Sequence, residues 1–161
     1  MLDKVEIIEN SKESVDRAYD ISISAKEELL VGFPTINSFR RNVHTGLSVQ
    51  ILKDIYSQNN VKLRVLTPVD NQIMQIIEDL KKTLSGLDIR SLKENTESRS
   101  MVVIVLADRK ESIIVQIKDD TKDNMYDAAG ISIYSNSKMI VSSYLALFEI
   151  IWNQSQSTDL I

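Results

Sequence analysis

Apolar residues recur along the chain with two different spacings. Between Val61 and Thr67, apolar and polar residues alternate, which is typical of a strand with one buried face. Between Ser38 and Tyr56, apolar residues recur on one side of a 3.6-residue period, which predicts an amphipathic helix. The same criteria predict strands at Glu28–Phe33, Leu87–Leu92, Met101–Ala107, Ser112–Lys118 and Ala129–Tyr134, and helices after Glu13, over Asn71–Leu84 and over Lys138–Gln154.

Two runs rich in β-branched residues, Met101–Ala107 and Ser112–Lys118, flank the polar segment Asp108–Glu111. So short a connection is typical of an antiparallel hairpin. Because both runs suit burial on two faces, we expect them as adjacent strands near the centre of a sheet. Helices alternate with strands earlier in the chain, which favours a sheet covered by helices. The predicted fold class is α/β, a mixed β-sheet flanked by helices in one domain over residues 1–161.

Composition narrows the class of protein. The 161 residues are 43% apolar and carry a net charge of −4. A chain of this length buries a core as one domain, and its acidic balance argues against binding to nucleic acid or to anionic membranes. The longest apolar run has seven residues, against roughly 20 for a membrane span. Because the N-terminus also lacks a signal-peptide pattern, we expect a cytoplasmic protein.

Residues with reactive chemistry are sparse. Cysteine is absent, which excludes disulfides, thiolate metal sites and cysteine nucleophiles. The single histidine, His44, has no acidic neighbour and is interpreted as a helix-surface residue. The acidic stretch 119–124 lacks the glycine and glutamate of a calcium loop, whose places are taken by Asn124 and Gly130. We therefore predict no catalytic residue, no metal and no cofactor.

Polar residues directly follow several predicted strands. In α/β sheets, ligands bind outside the carboxyl ends of strands, where helix N-termini favour anionic or polar groups. Ordinary helix capping is the competing interpretation of such residues. If a small-molecule or protein signal binds, we expect it to contact Thr35, Thr67, Asp70, Ser135 or Asn136, with Arg41 as a charge partner.

The last predicted helix, over about residues 137–156, carries a large apolar stripe. Four of its members are Tyr144, Phe148, Ile151 and Trp152. Because the helix is longer than the strands it covers, we expect its end to leave Ile151 and Trp152 partly exposed. Such residues anchor interfaces, which predicts a homodimer through this stripe. The competing interpretation is that Leu2–Ile8 folds over the same end within one chain.

Several segments are similar, in order and spacing, to one known family. They are Val61–Asp70, Met101–Arg109, Val115–Asp120 with Asp123, Gly130–Lys138, and Tyr144, Phe148 and Trp152. Together they span roughly Glu28–Gln154 and resemble the N-terminal sensory region of archaeal two-component sensor histidine kinases, notably those of ammonia-oxidising archaea. The resemblance implies a sensory and dimerisation domain. Its last helix, which has no stop signal, would lead toward a kinase core that lies beyond this sequence.

That sensory region is in turn similar to phospholipase-D-like domains and to the effector domains of sugar-responsive archaeal transcription regulators. The phospholipase-D pattern is His-x-Lys-x4-Asp after a strand, followed later by Gly-Ser-x-Asn. When the pattern is aligned on Asp108, its histidine falls on Met101 and its lysine on Val103. Gly130–Asn136 matches the second element only loosely. The resemblance therefore implies one half of a phospholipase-D-like fold without catalytic activity.

Two functions follow from these resemblances. The first is a non-catalytic cytoplasmic sensory and dimerisation domain of a signal-transduction histidine kinase, which relays an input through its C-terminal helix. The second is the effector-binding domain of an archaeal transcription regulator, in which a DNA-binding domain would precede Met1. A phosphodiesterase of the phospholipase-D type is disfavoured by Met101 and Val103. The domain order of the parent gene distinguishes the first two functions.

Overall fold

The computed structural model describes residues 2–44, 53, 54, 56, 60–93 and 101–158. Its strands are β1 (Val5–Ile8), β2 (Glu28–Gly32), β3 (Lys62–Pro68), β4 (Leu87–Leu92), β5 (Val102–Ala107), β6 (Glu111–Ile117), β7 (Ala129–Ser135) and β8 (Gln156–Ser157). Its helices are α1 (Ser11–Ser24), α2 (Ile36–His44), α3 (Asn71–Thr83), α4 (Met125–Ala128) and α5 (Lys138–Gln154). Much of the second predicted helix after His44 lies outside the described residues, as does most of the polar stretch before Met101.

All of these strands join one mixed sheet in the order β1-β7-β6-β5-β2-β3-β4-β8. β2, β3 and β4 are parallel to one another, and the other neighbouring pairs are antiparallel. β5 and β6 are adjacent and antiparallel in the interior of the sheet, with Val103 opposite Val115 and Val105 opposite Ile113. The predicted fold class and the predicted central hairpin are therefore confirmed.

The hairpin between β5 and β6 turns at Asp108 and Arg109. Both residues have positive φ, of 54° and 57°, and the N–H of Lys110 donates to the carbonyl of Ala107 at 3.0 Å. Two consecutive left-handed residues are typical of the tight turns that match the twist of a hairpin. Glu111, which the sequence pattern places in the connection, pairs with Ala107 instead. The tight turn thus begins β6 one residue earlier than predicted.

Helices cover the two faces of the sheet unequally. α1, α2, α3 and the short α4 pack on one face, called the front face here, whose core includes Leu29 and Ile113. On the opposite, back face, α5 packs against Leu30, Leu66 and Leu106. Successive residues of a strand point to opposite faces, so Leu29 and Leu30 of β2 serve two separate cores. The expectation of helices on both faces is confirmed.

The two edge strands are not predicted by the sequence pattern. β1 pairs with β7 and β8 pairs with β4, and both strands are too short for a clear alternation of polarity. α5 ends at Gln154, not near residue 156, because Gln156–Ser157 leave the helix and pair with β4. β1 lies at the edge far from β4. The interpretation in which Leu2–Ile8 covers the end of the last helix is therefore wrong.

Candidate functional site

A cavity of about 190 Å³ lies between the front face of the sheet and helices α1, α2 and α3. Apolar side chains from strands and helices make up most of its wall. Representative lining residues are Val31, Val65, Val103 and Val115 from the strands, and Phe39 and Leu80 from α2 and α3. The sequence alone gives no signal for this site, because valine and leucine that line a cavity have the same pattern as valine and leucine in a filled core.

A cavity of about 190 Å³ departs from the close packing of most protein interiors. Protein interiors are packed as densely as organic crystals. Concave, largely apolar cavities are also the usual form of small-molecule sites. The cavity is therefore the strongest candidate for a functional site in the described part of the chain.

The polar residues that border the cavity are mostly engaged within the protein. Ser22 and Ser38 donate their hydroxyls to backbone carbonyls about one turn earlier, at 2.8 and 2.7 Å, and Asn42 donates to the carbonyl of Ser38 at 2.9 Å. The side-chain oxygen of Gln116 accepts the N–H of Ile131 at 3.3 Å. The hydroxyl of Tyr19, which also lines the cavity, is buried and has no hydrogen-bond partner among the described residues, so it is available to an occupant.

Arg41 is the charged residue of the cavity wall, and it is buried. Its guanidinium forms an ion pair with the Asp120 carboxylate at 2.8 Å and also donates to the backbone carbonyls of Asp120 and Lys122. The hydroxyl of Thr35 donates to the same carboxylate at 3.0 Å. The positive charge of Arg41 is thus compensated inside the protein. Sequence analysis placed Asp120 in an acidic stretch but did not identify it as the partner of Arg41.

The predicted ligand contacts fall at two opposite ends of the sheet. Thr35, Arg41, Thr67 and Asp70 lie near the carboxyl ends of β2 and β3, whereas Ser135 and Asn136 follow β7. β7 is antiparallel to β6, β6 is antiparallel to β5, and β5 is antiparallel to β2. The carboxyl end of β7 therefore lies at the opposite end of the strands from the carboxyl end of β2. The topology therefore divides the six residues between two ends of the sheet, and a ligand at either group stays a prediction.

At the first end, the polar residues cap helices. The Thr35 hydroxyl accepts the N–H of Ser38 at 3.0 Å at the start of α2. The Asp70 carboxylate accepts the N–H of Ile73 at 2.8 Å at the start of α3. Thr67 is fully buried. These contacts match the capping interpretation, and a ligand at these residues stays a prediction.

At the second end, Ser135 and Asn136 hold the edge strand β1. The Ser135 hydroxyl donates to the carbonyl of Lys4 at 2.9 Å, and the side-chain oxygen of Asn136 accepts the N–H of Lys4 at 2.6 Å. Both side chains therefore hold the N-terminal segment against the sheet through hydrogen bonds.

The positions of the phospholipase-D pattern are occupied by two apolar residues and one structural aspartate. Val103 lines the cavity, and Met101 is partly buried just before β5. The Asp108 carboxylate accepts the N–H groups of Lys26 and Glu27 at 3.0 and 2.8 Å, and that of Glu28 at 2.9 Å. It thereby fixes the connection from α1 into β2.

Those backbone contacts also determine the charge state of Asp108. Burial works to raise the pKa of this carboxyl, but the three N–H donors together outweigh burial and hold the pKa below its usual range. Asp108 is therefore a carboxylate, which accepts the three N–H groups of the connection from α1 into β2.

His44 is exposed at the last residue of α2, as expected of a helix-surface histidine. Within the described ranges, no group of three or more histidine or acidic side chains is arranged to hold a metal ion. In the acidic stretch, Asp119 accepts the N–H and hydroxyl of Thr121, and Asp120 is bonded to Arg41 and Thr35.

The aromatic stripe of α5 faces the sheet. Phe148 and Trp152 are buried, with Trp152 only 5% exposed, and their rings stack with centroids 5.9 Å apart. Arg64 and Arg90 lie over the indole at 5.1 and 4.6 Å from its centroid, and Arg90 also donates to the carbonyl of Trp152 at 2.8 Å. The expectation that Trp152 is exposed at an interface is therefore wrong, since the sheet reaches far enough to cover it.

The remaining members of the predicted interface differ from Trp152. Tyr144 is partly buried against the same back-face core, whereas Ile151 is 42% exposed. The outer side of α5 is instead lined by three strongly exposed residues, Met139, Leu147 and Ile150. The apolar surface available to a partner thus lies on the opposite side of the helix from the predicted aromatic stripe.

No protein-family model matches the sequence, and no curated protein matches it significantly. Solved structures do match in fold. NucT from Helicobacter pylori matches 97% of this chain and 99% of its own, with a TM-score of 0.70 and 9% identity. Nuc from Salmonella typhimurium, a phospholipase D family member, matches 97% and 98% of the two chains, with a TM-score of 0.63 and 13% identity.

TrmBL2, an archaeal chromatin protein with a novel mode of DNA binding, also matches, with a TM-score of 0.64 and 15% identity. The match covers 95% of this chain and 53% of TrmBL2, so this chain spans about half the length of that protein. At such identities the similarity concerns the fold alone. The chain has a phospholipase-D-like α/β fold.

None of the helices in the described ranges is long and apolar enough to cross a membrane.

Proposed function

We propose that this chain is a non-catalytic sensory domain built on a phospholipase-D-like fold. The observation that carries the proposal is the side chain at position 103. Where the phospholipase-D pattern has a phosphate-binding lysine, Val103 lines an apolar cavity.

The chemistry around Val103 suits an apolar occupant better than a phosphodiester. Transfer of an ionised group into apolar surroundings without compensating partners is strongly unfavourable. Val105 and Val115 lie beside Val103 in the cavity wall, and Met101 takes the place of the nucleophilic histidine of the pattern. The single histidine of the chain, His44, is on the exposed end of α2.

We propose that the parent protein is a signal-transduction histidine kinase. The sequence resemblance supports this proposal. The alternative is the effector-binding domain of an archaeal transcription regulator, which the fold similarity to TrmBL2 supports. A gene in which a kinase core follows this domain favours the first, and one in which a DNA-binding domain precedes it favours the second. In both cases the domain itself contributes an input site.

Hydrolysis of a chromogenic diester, bis-para-nitrophenyl phosphate, tests the absence of catalysis. We expect a rate equal to that of buffer, measured beside a commercial phosphodiesterase as a positive control. The variant His44→Gln is the matched comparison, since it removes the one imidazole of the chain. Hydrolysis above background that disappears in His44→Gln would show a phosphodiesterase and overturn the proposal.

We also propose that this domain itself does not bind nucleic acid. Its net charge is −4, and Arg41, Arg64 and Arg17 are each paired with a carboxylate. Phosphate-backbone binding depends on accessible basic residues and is strongest at low salt. A mobility-shift experiment with duplex DNA at low salt is expected to show no complex, and a salt-dependent complex would contradict this part of the proposal.

A further inference from the structure

We propose that the front-face cavity is the input site of this domain and that its ligand is a small, uncharged, predominantly apolar molecule. This inference rests on the proposed sensory function and names the class of ligand for it. It follows from the wall of the cavity, from the engagement of its polar groups and from its volume.

The wall selects for apolar surface. Val31, Val65 and Val103 present branched aliphatic groups from three neighbouring strands, and Phe39 and Leu80 close on them from α2 and α3. Removing apolar ligand surface from water against such a wall is favourable at roughly 25 cal/mol per Å². A ligand rich in hydroxyls gains little here, because each buried hydroxyl needs a hydrogen-bond partner.

Most polar groups at the border are already bonded within the protein, which disfavours charged and sugar-like ligands, and the buried Tyr19 hydroxyl, unpartnered among the described residues, suits a ligand with at most one polar group. Ser22 and Ser38 already donate to backbone carbonyls, and the Gln116 side-chain oxygen already accepts an N–H. The guanidinium of Arg41 is neutralised by Asp120 and by two backbone carbonyls. A carboxylate or phosphate ligand would have to displace Asp120, whose charge is already in place at 2.8 Å.

The volume sets the size of the ligand. An apolar cavity of about 150 Å³ in another protein holds a benzene molecule. The present cavity, at about 190 Å³, accommodates a single aromatic ring with a short alkyl group, or a fused bicyclic ring. The ligand class is therefore a molecule of the size of ethylbenzene or indole.

Binding in the cavity also has a route to the rest of the domain. Phe39 and Val43 of α2 line the cavity, and Arg41 lies between them on the same helix and binds the loop at Asp120. A ligand changes a conformational equilibrium only through different affinities for the two conformations. A ligand that binds better to one position of α2 therefore also changes the position of the loop at Asp120.

Titration of the full chain, labelled at its isoleucine, leucine and valine methyl groups, tests the proposal by NMR. The probes are ethylbenzene and indole, with glucose and inorganic phosphate as the polar counterparts. We expect saturable shifts for the two apolar probes at the methyl groups of Val31, Val65, Val103 and Leu80. We expect no saturable shifts at these methyl groups with glucose or phosphate.

Two neighbouring valines provide a matched pair of variants. Val103→Phe fills the cavity, whereas Val102→Phe adds the same ring on the back face of β5, because successive residues of a strand point to opposite faces. We expect Val103→Phe to weaken binding of the apolar probes by about tenfold or more, or about 1.4 kcal/mol, and Val102→Phe to leave it nearly unchanged. Ala18→Leu, on the α1 side of the cavity, supplies a second filling variant if Val103→Phe does not fold.

The outcomes separate this inference from the proposed function. The inference is overturned if neither apolar probe saturates, if the shifts lie at Leu147 and Ile150 on α5, if both filling variants bind normally, or if glucose or phosphate occupies the cavity. In each case the non-catalytic role stands when the diester assay is negative. Diester hydrolysis that depends on His44 overturns the proposed function itself, whatever the probes do.

Discussion

At the scale of single residues, Asp108 has a clear structural task. It lies at the tip of the β5–β6 hairpin with φ of 54°, a conformation that aspartate and asparagine tolerate better than most residues. Its carboxylate accepts three successive backbone N–H groups, from Lys26 to Glu28, at the start of β2. One side chain thereby joins two segments about eighty residues apart in the chain.

The variant Asp108→Asn tests this task, because asparagine suits the same backbone conformation, removes the charge and replaces one of the two accepting oxygens with a donor amide. Hydrogen bonds to a charged acceptor are stronger than those to a neutral one, so we expect a loss of about 1–2 kcal/mol at neutral pH. Urea unfolding followed by Trp152 fluorescence measures it. Asp20→Asn on the exposed side of α1 is the control, expected within about 0.5 kcal/mol of the parent.

The pH dependence of this difference has a definite sign. The pKa of Asp108 is held below its usual range in the folded protein, so its contribution is present above the unfolded pKa of about 3.9 and is lost as pH falls through the lower, folded value. We therefore expect the two proteins to converge in stability below about pH 4. A constant difference down to pH 2 would contradict the assigned role of the charge.

At the scale of elements, α2 depends on contacts outside its own sequence. Its described part, Ile36–His44, has nine residues, too few for stability as an isolated helix. Thr35 caps it at the N-terminus, Phe39 packs edge-on against Phe33, and Arg41 binds Asp120. A buried ion pair therefore holds the middle of α2 in place beside the cavity.

Asp120→Ala tests the role of this ion pair. Removal of one partner leaves the buried guanidinium of Arg41 without its counter-charge, so we expect a loss of about 3 kcal/mol in unfolding free energy. Asp123→Ala, an exposed acid in the same loop, is expected to change stability by less than about 0.5 kcal/mol. Equal effects of the two substitutions in urea unfolding would show that the ion pair does not hold α2.

At the scale of the whole molecule, α5 leaves an uncharged apolar surface on the back of the domain. Met139, Leu147 and Ile150 are 74%, 57% and 54% exposed, and Ser143 and Ala146 between them are small and also exposed. Exposed apolar patches of this kind mark interaction sites, and the central parts of interfaces are depleted in charge. A homodimer stays a prediction, and the outer side of α5 is the apolar surface on which we now expect it to form.

Sedimentation equilibrium tests this form of the dimer. We expect self-association at concentrations on the order of tens of micromolar, abolished by Ile150→Glu with little change in stability. Trp152→Ala is the contrasting variant, since loss of a buried indole lowers stability by about 3–5 kcal/mol. A monomer throughout this range, or a dimer that survives Ile150→Glu, would contradict the proposed surface.

The site was less predictable from the sequence than the elements were. Helix caps such as Asp70 and Thr35 are visible because polar residues precede an apolar period, and the structure confirms both caps. The pairing of Arg41 with Asp120 joins residues 79 apart, and no local pattern encodes such a distance. The cavity is equally hidden, because its volume depends on how closely three helices approach the sheet.

The sequence by itself determined the kind and order of most elements, because the hydrophobic period of each segment is a local property that survives in any tertiary arrangement. It also determined the β5–β6 hairpin, because a short polar connection keeps two apolar strands close enough to pair with each other. Only the tertiary structure decided at which end of the sheet each strand terminates, and this separates Ser135 from Thr35. It alone decided that Trp152 is buried while Ile150 is exposed, because both sides of α5 are apolar and only the position of the sheet distinguishes them.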